Sequence, residues 1–142
     1  MGPGTGYFSL HVARTVPHGQ LILFDIQREM LAKSRARLRR ASVTNVGYAQ
    51  GNGIALPFKA HSFDVAFFVA VMGEVPDPAA CIEAVGRILR PGGTLSITEL
   101  PGDPDAVSQS DVTAIAEAKG FQIAEVFPLS RGFTSNFRRP SR

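Results

Sequence analysis

Leu21-Ile22-Leu23-Phe24 is a nearly continuous apolar run, closed by Asp25. A strand with one solvated face alternates apolar and polar residues, so an uninterrupted run suits a strand buried on both faces. Other elements must supply that cover. Helical patterns and short strand-like runs do alternate along the chain at regular spacing, the signature of a parallel sheet covered by helices. The expected class is α/β.

Residues 7–16 carry Phe8, Leu10, Val12, Ala13 and Val16 and read as a helix that ends before Pro17, because proline disfavours helical backbone in its predecessor. Pro17, His18 and Gly19 form the turn into a strand over 20–25. A basic helix follows, with Met30, Leu31 and Leu38 as its buried stripe. The strand Val46–Gln50 is broken by Gly51, Asn52 and Gly53, residues tolerant of positive φ. After a loop to about residue 62, an apolar run spans 63–71. Residues 78–89 read as a helix, with Pro78 in its first turn and Ile82, Val85, Ile88 and Leu89 on one stripe. Arg90, Pro91, Gly92 and Gly93 are expected to stop it. A strand over 94–100, a polar loop from Pro101 to Ser110, a helix over 110–119 with a serine cap and Gly120 at its end, and a strand over 121–127 complete the alternation. Phe133–Arg138 is expected to return antiparallel after a turn at Ser130, Arg131 and Gly132, closing one edge of the sheet.

The 142 residues and 44% hydrophobic content suit one domain over 1–142. No run approaches the roughly 18 apolar residues of a membrane-spanning helix, and residues 1–4 lack signal-peptide character, so no membrane span and a cytoplasmic location are expected. Cys81, the single cysteine, falls in a helical pattern and reads as a buried structural thiol. The net charge of +3 comes mainly from Arg28, Lys33, Arg35, Arg37, Arg39 and Arg40, and from Arg138, Arg139 and Arg142. The first group shares a helix with the apolar stripe and reads as its solvated face; aromatic residues do not interleave with it, so no strong nucleic-acid signal results. His11, His18 and His61 have no spacing that suggests a metal site, and none is expected.

Gly2-Pro3-Gly4-Thr5-Gly6 leads directly into the first helix. Such a turn offers backbone N–H groups at a positive helix end and lets a ligand approach without a Cβ in the way. The dinucleotide fingerprint places its third glycine one position later, where this chain has Tyr7, which counts against NAD and FAD. Asp25, at the end of the next strand, suits the two ribose hydroxyls of an adenosine, or alternatively a helix cap. Asn52, at the end of the strand after that, suits an adenine edge or a plain Asn-Gly turn. All these positions lie at carboxyl ends of strands or at the loop beside them, the edge where open α/β sheets bind ligands.

The succession GPGTGYFSL, LILFDIQREML, GNGIALPF, SFDVAFFVAVMGEVPDP and ILRPGGTLSITE over about residues 2–100 resembles the class I S-adenosylmethionine-dependent methyltransferases of the type 11 group, among them quinone-biosynthesis C-methyltransferases and many small-molecule enzymes. The resemblance implies a Rossmann-like sheet with a C-terminal antiparallel hairpin and S-adenosyl-L-methionine as cofactor. It also implies a small-molecule acceptor methylated by in-line displacement. Gly2, Gly4 and Gly6 would bound the methionine end of the cofactor, with Thr5 and Tyr7 beside them. Asp25 would hold the ribose, Ile26 would pack on adenine, and Asn52 and Gly53 would line the adenine edge. Val69 and Ala70 would border the cofactor's amino acid group and face the acceptor. Asn52 stands where family members often have Asp, and Met72-Gly73-Glu74 stands where a histidine-containing segment is familiar. Glu74 and Glu99 are the carboxylates nearest the expected mouth and are the candidates for a catalytic base.

In the family a hydrophobic strand precedes the glycine loop and lies at the centre of the sheet, between the strand ending at Asp25 and the one ending near Val69. That strand and the usual N-terminal helix are missing from the sequence, which is expected to be a fragment or a mis-started reading frame. Two alternative functions follow: a non-catalytic methyltransferase-like interaction module or inactive fragment, and an NAD-linked oxidoreductase, which the glycine spacing disfavours.

Overall fold

The computed structural model describes residues 1–100, 102 and 104–141. Pro101 of the polar loop and Arg142 of the basic tail lie outside them. The chain forms two compact units, residues 1–52 and 53–142.

In the first unit, α1 (Tyr7–Thr15), β1 (Leu21–Asp25), α2 (Arg28–Arg40) and β2 (Val46–Gln50) follow the pattern read from the residues. β1 and β2 pair in parallel from Leu21 opposite Val46 to Asp25 opposite Gln50. Leu21, Leu23 and Phe24 are buried, as an uninterrupted apolar run requires. α2 turns Leu31, Ser34 and Leu38 inward, the spacing of one helical stripe, while Arg28, Lys33, Arg35, Arg37, Arg39 and Arg40 are exposed. The Asn45 amide donates to the carbonyls of Ala13 and Val16 at 3.0 and 2.9 Å, which ties the end of α1 to the start of β2.

The second unit contains β3 (Phe63–Val69), a 3-10 turn (Met72–Glu74), α3 (Pro78–Ile88), β4 (Leu89–Glu99), α4 (Gln109–Ala118), β5 (Gln122–Pro128) and β6 (Phe133–Arg138). Its sheet runs β3-β4-β6-β5. β3 and β4 are parallel, and β6 is antiparallel to both β4 and β5, so the expected returning hairpin is present with β6 inside and β5 at the edge. Phe68, Ile82, Val85, Leu95, Ile97, Val112 and Phe137 are each 1% exposed or less. Burying side chains of this size contributes about 1.5–3 kcal/mol each. Cys81 is a buried free thiol in this core.

Two local readings change. α3 ends at Ile88 and β4 already starts at Leu89, so Arg90-Pro91-Gly92-Gly93 does not stop the helix but forms a bulged strand entry. Gly92 has φ +74, and a Cβ on Gly93 would lie 2.8 Å from the Arg90 carbonyl oxygen. Reciprocal backbone bonds with Arg139 hold the bulge: Gly92 N–H donates to Arg139 at 3.0 Å and Arg139 N–H to Gly93 at 2.9 Å. The cap of α4 is Ser108, two residues before the serine expected: its Oγ accepts from the Asp111 N–H at 3.1 Å. Ser108-Gln109-Ser110-Asp111 is a serine followed three residues later by an acid, the usual signature of a helix start. Among the described residues no helix is long and apolar enough to cross a membrane.

Candidate functional site

Gly2, Gly4 and Gly6 have φ +56, +52 and +79, all left-handed. An L side chain would cost roughly 1–2 kcal/mol at each. The loop is held by β1, by α2 and by a bond of its own. Gly2 N–H donates to Phe24 O at the end of β1 at 2.9 Å, and Gly6 N–H donates to Pro3 O at 2.9 Å. From α2, the Ser34 hydroxyl, shared with Met30 O, reaches Gly4 O at 2.8 Å, and Arg37 Nε donates to Thr5 O at 3.0 Å.

The glycines differ in what surrounds them. A Cβ on Gly6 would stand 3.0 Å from both Ser34 Cα and Leu38 Cδ1, so this glycine is needed for the close approach of the loop to α2. A Cβ on Gly4 would meet nothing within 4 Å. Gly4 thus faces open space with bare backbone, and α1 begins with no side-chain cap and no acidic residue in its first turn. That leaves N–H donors at a positive helix end, suited to a carboxylate or another electron-rich group.

Asp25, half-buried at the end of β1, accepts the Gln27 N–H through Oδ1 at 2.9 Å. It therefore shapes the turn into α2, whose cap residue Gln27 makes no side-chain cap bond. Ile26 is 63% exposed, a large apolar side chain turned outward beside that carboxylate. The ends of β1 and β2 are joined by Gly51 N–H to Asp25 O at 3.1 Å and Gln50 Nε2 to Ile26 O at 3.1 Å, which brings exposed Asn52 to the same end of the strand pair. Gly2, Gly4, Thr5, Gly6, Asp25, Ile26 and Asn52 thus fall within one unit, whereas Gly53 and Val69 belong to the other. Ser34 and Arg37 were not among the residues expected here. The sequence signal for Ser34 is a hydroxyl on the buried stripe between Leu31 and Leu38.

In the second unit, Val69 is the half-buried last residue of β3 and is followed by Ala70 with φ +52, a left-handed backbone at a residue other than glycine. Ala70 N–H donates to Thr98 O at 2.9 Å. Glu74 is exposed; Glu99 is 3% exposed and accepts from Met72 N–H at 3.3 Å. His11 packs edge-on against Tyr7, with ring centroids 5.6 Å apart, and His61 Nδ1 lies 2.9 Å from Arg139 Nη1. Among the described residues no group of three or more His, Cys, Asp or Glu could hold a metal ion. A basic groove on α2 is lined by Thr5, Lys33, Ala36, Arg37, Arg40 and Ala41 and contains only Thr5 of the expected site.

A family signature described as a methyltransferase domain matches residues 1–97. The chain belongs to that family. It is 39% identical over 98 residues to the ubiquinone/menaquinone biosynthesis C-methyltransferase of Pasteurella multocida, an alignment covering 68% of this chain and 37% of the relative. It is 33% identical over 97 residues to the demethylmenaquinone methyltransferase of Lactococcus lactis, covering 68% and 38%. The chain therefore spans somewhat more than a third of the length of these relatives. In fold it is similar to a SAM-dependent methyltransferase from Aquifex aeolicus, with TM-score 0.91, 20% identity, and 97% of this chain and 79% of the other covered. It is also similar to the [4+2]-cyclase SpnF, with TM-score 0.87, 18% identity, and 99% and 73% covered. The name of the Aquifex aeolicus fold neighbour gives S-adenosyl-L-methionine as the cofactor of that protein. The chain's own geometry fits that group: a bare glycine backbone open at Gly4, with a carboxylate and an outward apolar side chain at the end of the adjoining strand.

Proposed function

We propose that this methyltransferase domain transfers the methyl group of S-adenosyl-L-methionine to a small-molecule acceptor, most specifically a carbon of a quinone precursor. The observation that carries the cofactor half is the left-handed Gly2-Gly4-Gly6 loop, pinned to Phe24, Ser34 and Arg37 and open at Gly4. The two quinone-biosynthesis relatives support the acceptor half. The cyclase neighbour shows why fold alone does not choose a reaction.

The cofactor supplies an electrophilic sulfonium methyl, so alignment and exclusion of water are the protein's main tasks. The Gly4 backbone and the first turn of α1 would receive the methionine end, Asp25 the ribose hydroxyls, and Ile26 with Asn52 the adenine. In the second unit, Val69 and Ala70 would face the acceptor. Glu74, exposed on the 3-10 turn, is the carboxylate available to take a proton from an acidic acceptor carbon; Glu99 is buried and engaged with backbone N–H groups.

Isothermal titration with S-adenosylhomocysteine, followed by incubation with S-adenosylmethionine and a short-chain demethylmenaquinol, tests the two halves separately. Saturable binding and a product heavier by one CH2 are expected. Absence of binding overturns the cofactor half. Binding without transfer favours the interaction-module reading.

A further inference from the structure

Glu99, the last residue of β4, has its carboxylate in the protein interior, where an ionised group survives only if donors replace its water. Two of those donors are backbone amides from different segments. Oε1 accepts from Met72 N–H at 3.3 Å, in the 3-10 turn after β3, and Oε2 accepts from Val107 N–H at 3.4 Å, in the segment leading to α4. The two segments also touch directly. A Cβ on Gly73 would fall on the Asp105 carbonyl oxygen, so the backbones meet where no side chain fits. Met72 is 1% exposed and anchors the turn. The turn leaves β3 through Ala70, whose left-handed backbone is strained in an L residue and persists only where its surroundings hold it.

We infer that Glu99 is a positioning residue: its carboxylate clasps the 72–74 turn and the 105–107 segment together, and so sets the turn that follows Val69 and Ala70 and carries Glu74, the residues proposed to meet the acceptor. The acceptor part of this inference rests on the methyl-transfer reading; the clasp itself does not. A carboxylate suits the role because it offers acceptors on both oxygens. Glu99→Gln keeps the shape but turns an NH2 group toward one of the two amides, setting donor against donor.

Hydrogen exchange of the full chain tests the clasp without reference to activity. In E99Q the amide of Met72 or Val107 that then faces the NH2 group is expected to exchange about tenfold or more faster, while those of Leu95 and Ile97 in β4 keep their protection. Gly73→Ala is expected to release Val107 and leave Met72 protected, since the carboxylate remains. Unchanged exchange at both Met72 and Val107 in E99Q overturns the clasp. So does a uniform rise that includes Leu95 and Ile97, which would make Glu99 a general core residue. For the acceptor part, E99Q should raise the acceptor KM about fivefold or more and lower kcat with it, because the loosened turn carries Glu74, while the affinity for S-adenosylhomocysteine stays within about twofold of the original. A fall in cofactor affinity instead overturns the placement on the acceptor side. Failure of the unaltered protein to bind S-adenosylhomocysteine removes the methyl-transfer reading and leaves the exchange results to decide the clasp alone.

Discussion

Residues 1–52 and 53–142 solve different problems with related elements. The second unit holds a four-stranded mixed sheet and, among the described residues, fifteen buried apolar side chains; the first holds a two-stranded sheet and six. Yet the first carries the glycine loop, Asp25, Ile26 and Asn52. Its site is positioned less by a broad core than by single polar ties: Ser34 to Gly4, Arg37 to Thr5, Asn45 to the end of α1. A bond to a carbonyl sets one atom's position, whereas apolar packing sets a volume. The difference teaches that the bulk of the burial and the bulk of the candidate cofactor contacts lie in separate parts of the chain.

Phe137→Ala removes a fully buried ring from β6 and is expected to cost about 3–5 kcal/mol, measured by denaturant unfolding with Cys81 labelling as the local reporter. A cost under about 1 kcal/mol would show that the second core is not the denser one.

Alkali gives the next largest effect. Burial pushes the Cys81 thiol up from its ordinary 9.0 to about 11. The unfolded chain releases this proton near pH 9 and the folded chain only near 11, so the stability it contributes is present below pH 9 and lost as pH rises from 9 to 11. Unfolding monitored between those values should show the decline, and Cys81→Ala should flatten it. A decline unchanged in that variant would assign it to other groups.

The smallest expected stability effect is Gly4→Ala, about 1–2 kcal/mol for the left-handed backbone alone, because its Cβ would enter open space. If that space receives the cofactor, affinity for S-adenosylhomocysteine falls at least tenfold, which is about 1.4 kcal/mol. Gly6→Ala makes the contrast: its Cβ meets the Ser34 backbone, so loop geometry and stability suffer together. Equal affinity in Gly4→Ala and the original protein would show that the open side of the loop is not the binding side.

The amino-acid sequence by itself determined the alternation of elements, the buried character of β1, the solvated face of α2, the antiparallel return of β6 and the family. Each rests on local pattern: uninterrupted apolar runs, helical spacing, turn residues and an ordered set of motifs. Even the Ser108 cap was open to the same reading, since Asp111 stands three residues on. Only the tertiary structure decided that Ser34 and Arg37 hold the glycine loop from some 30 residues away, that the Arg90-Gly93 stretch enters β4 as a bulge braced by Arg139, and that Glu99 faces inward. The physical reason is common to all three. A hydroxyl, a guanidinium, a carboxylate or a backbone amide has the same chemistry anywhere on the chain, and its partner is whichever backbone group the fold delivers within hydrogen-bond reach.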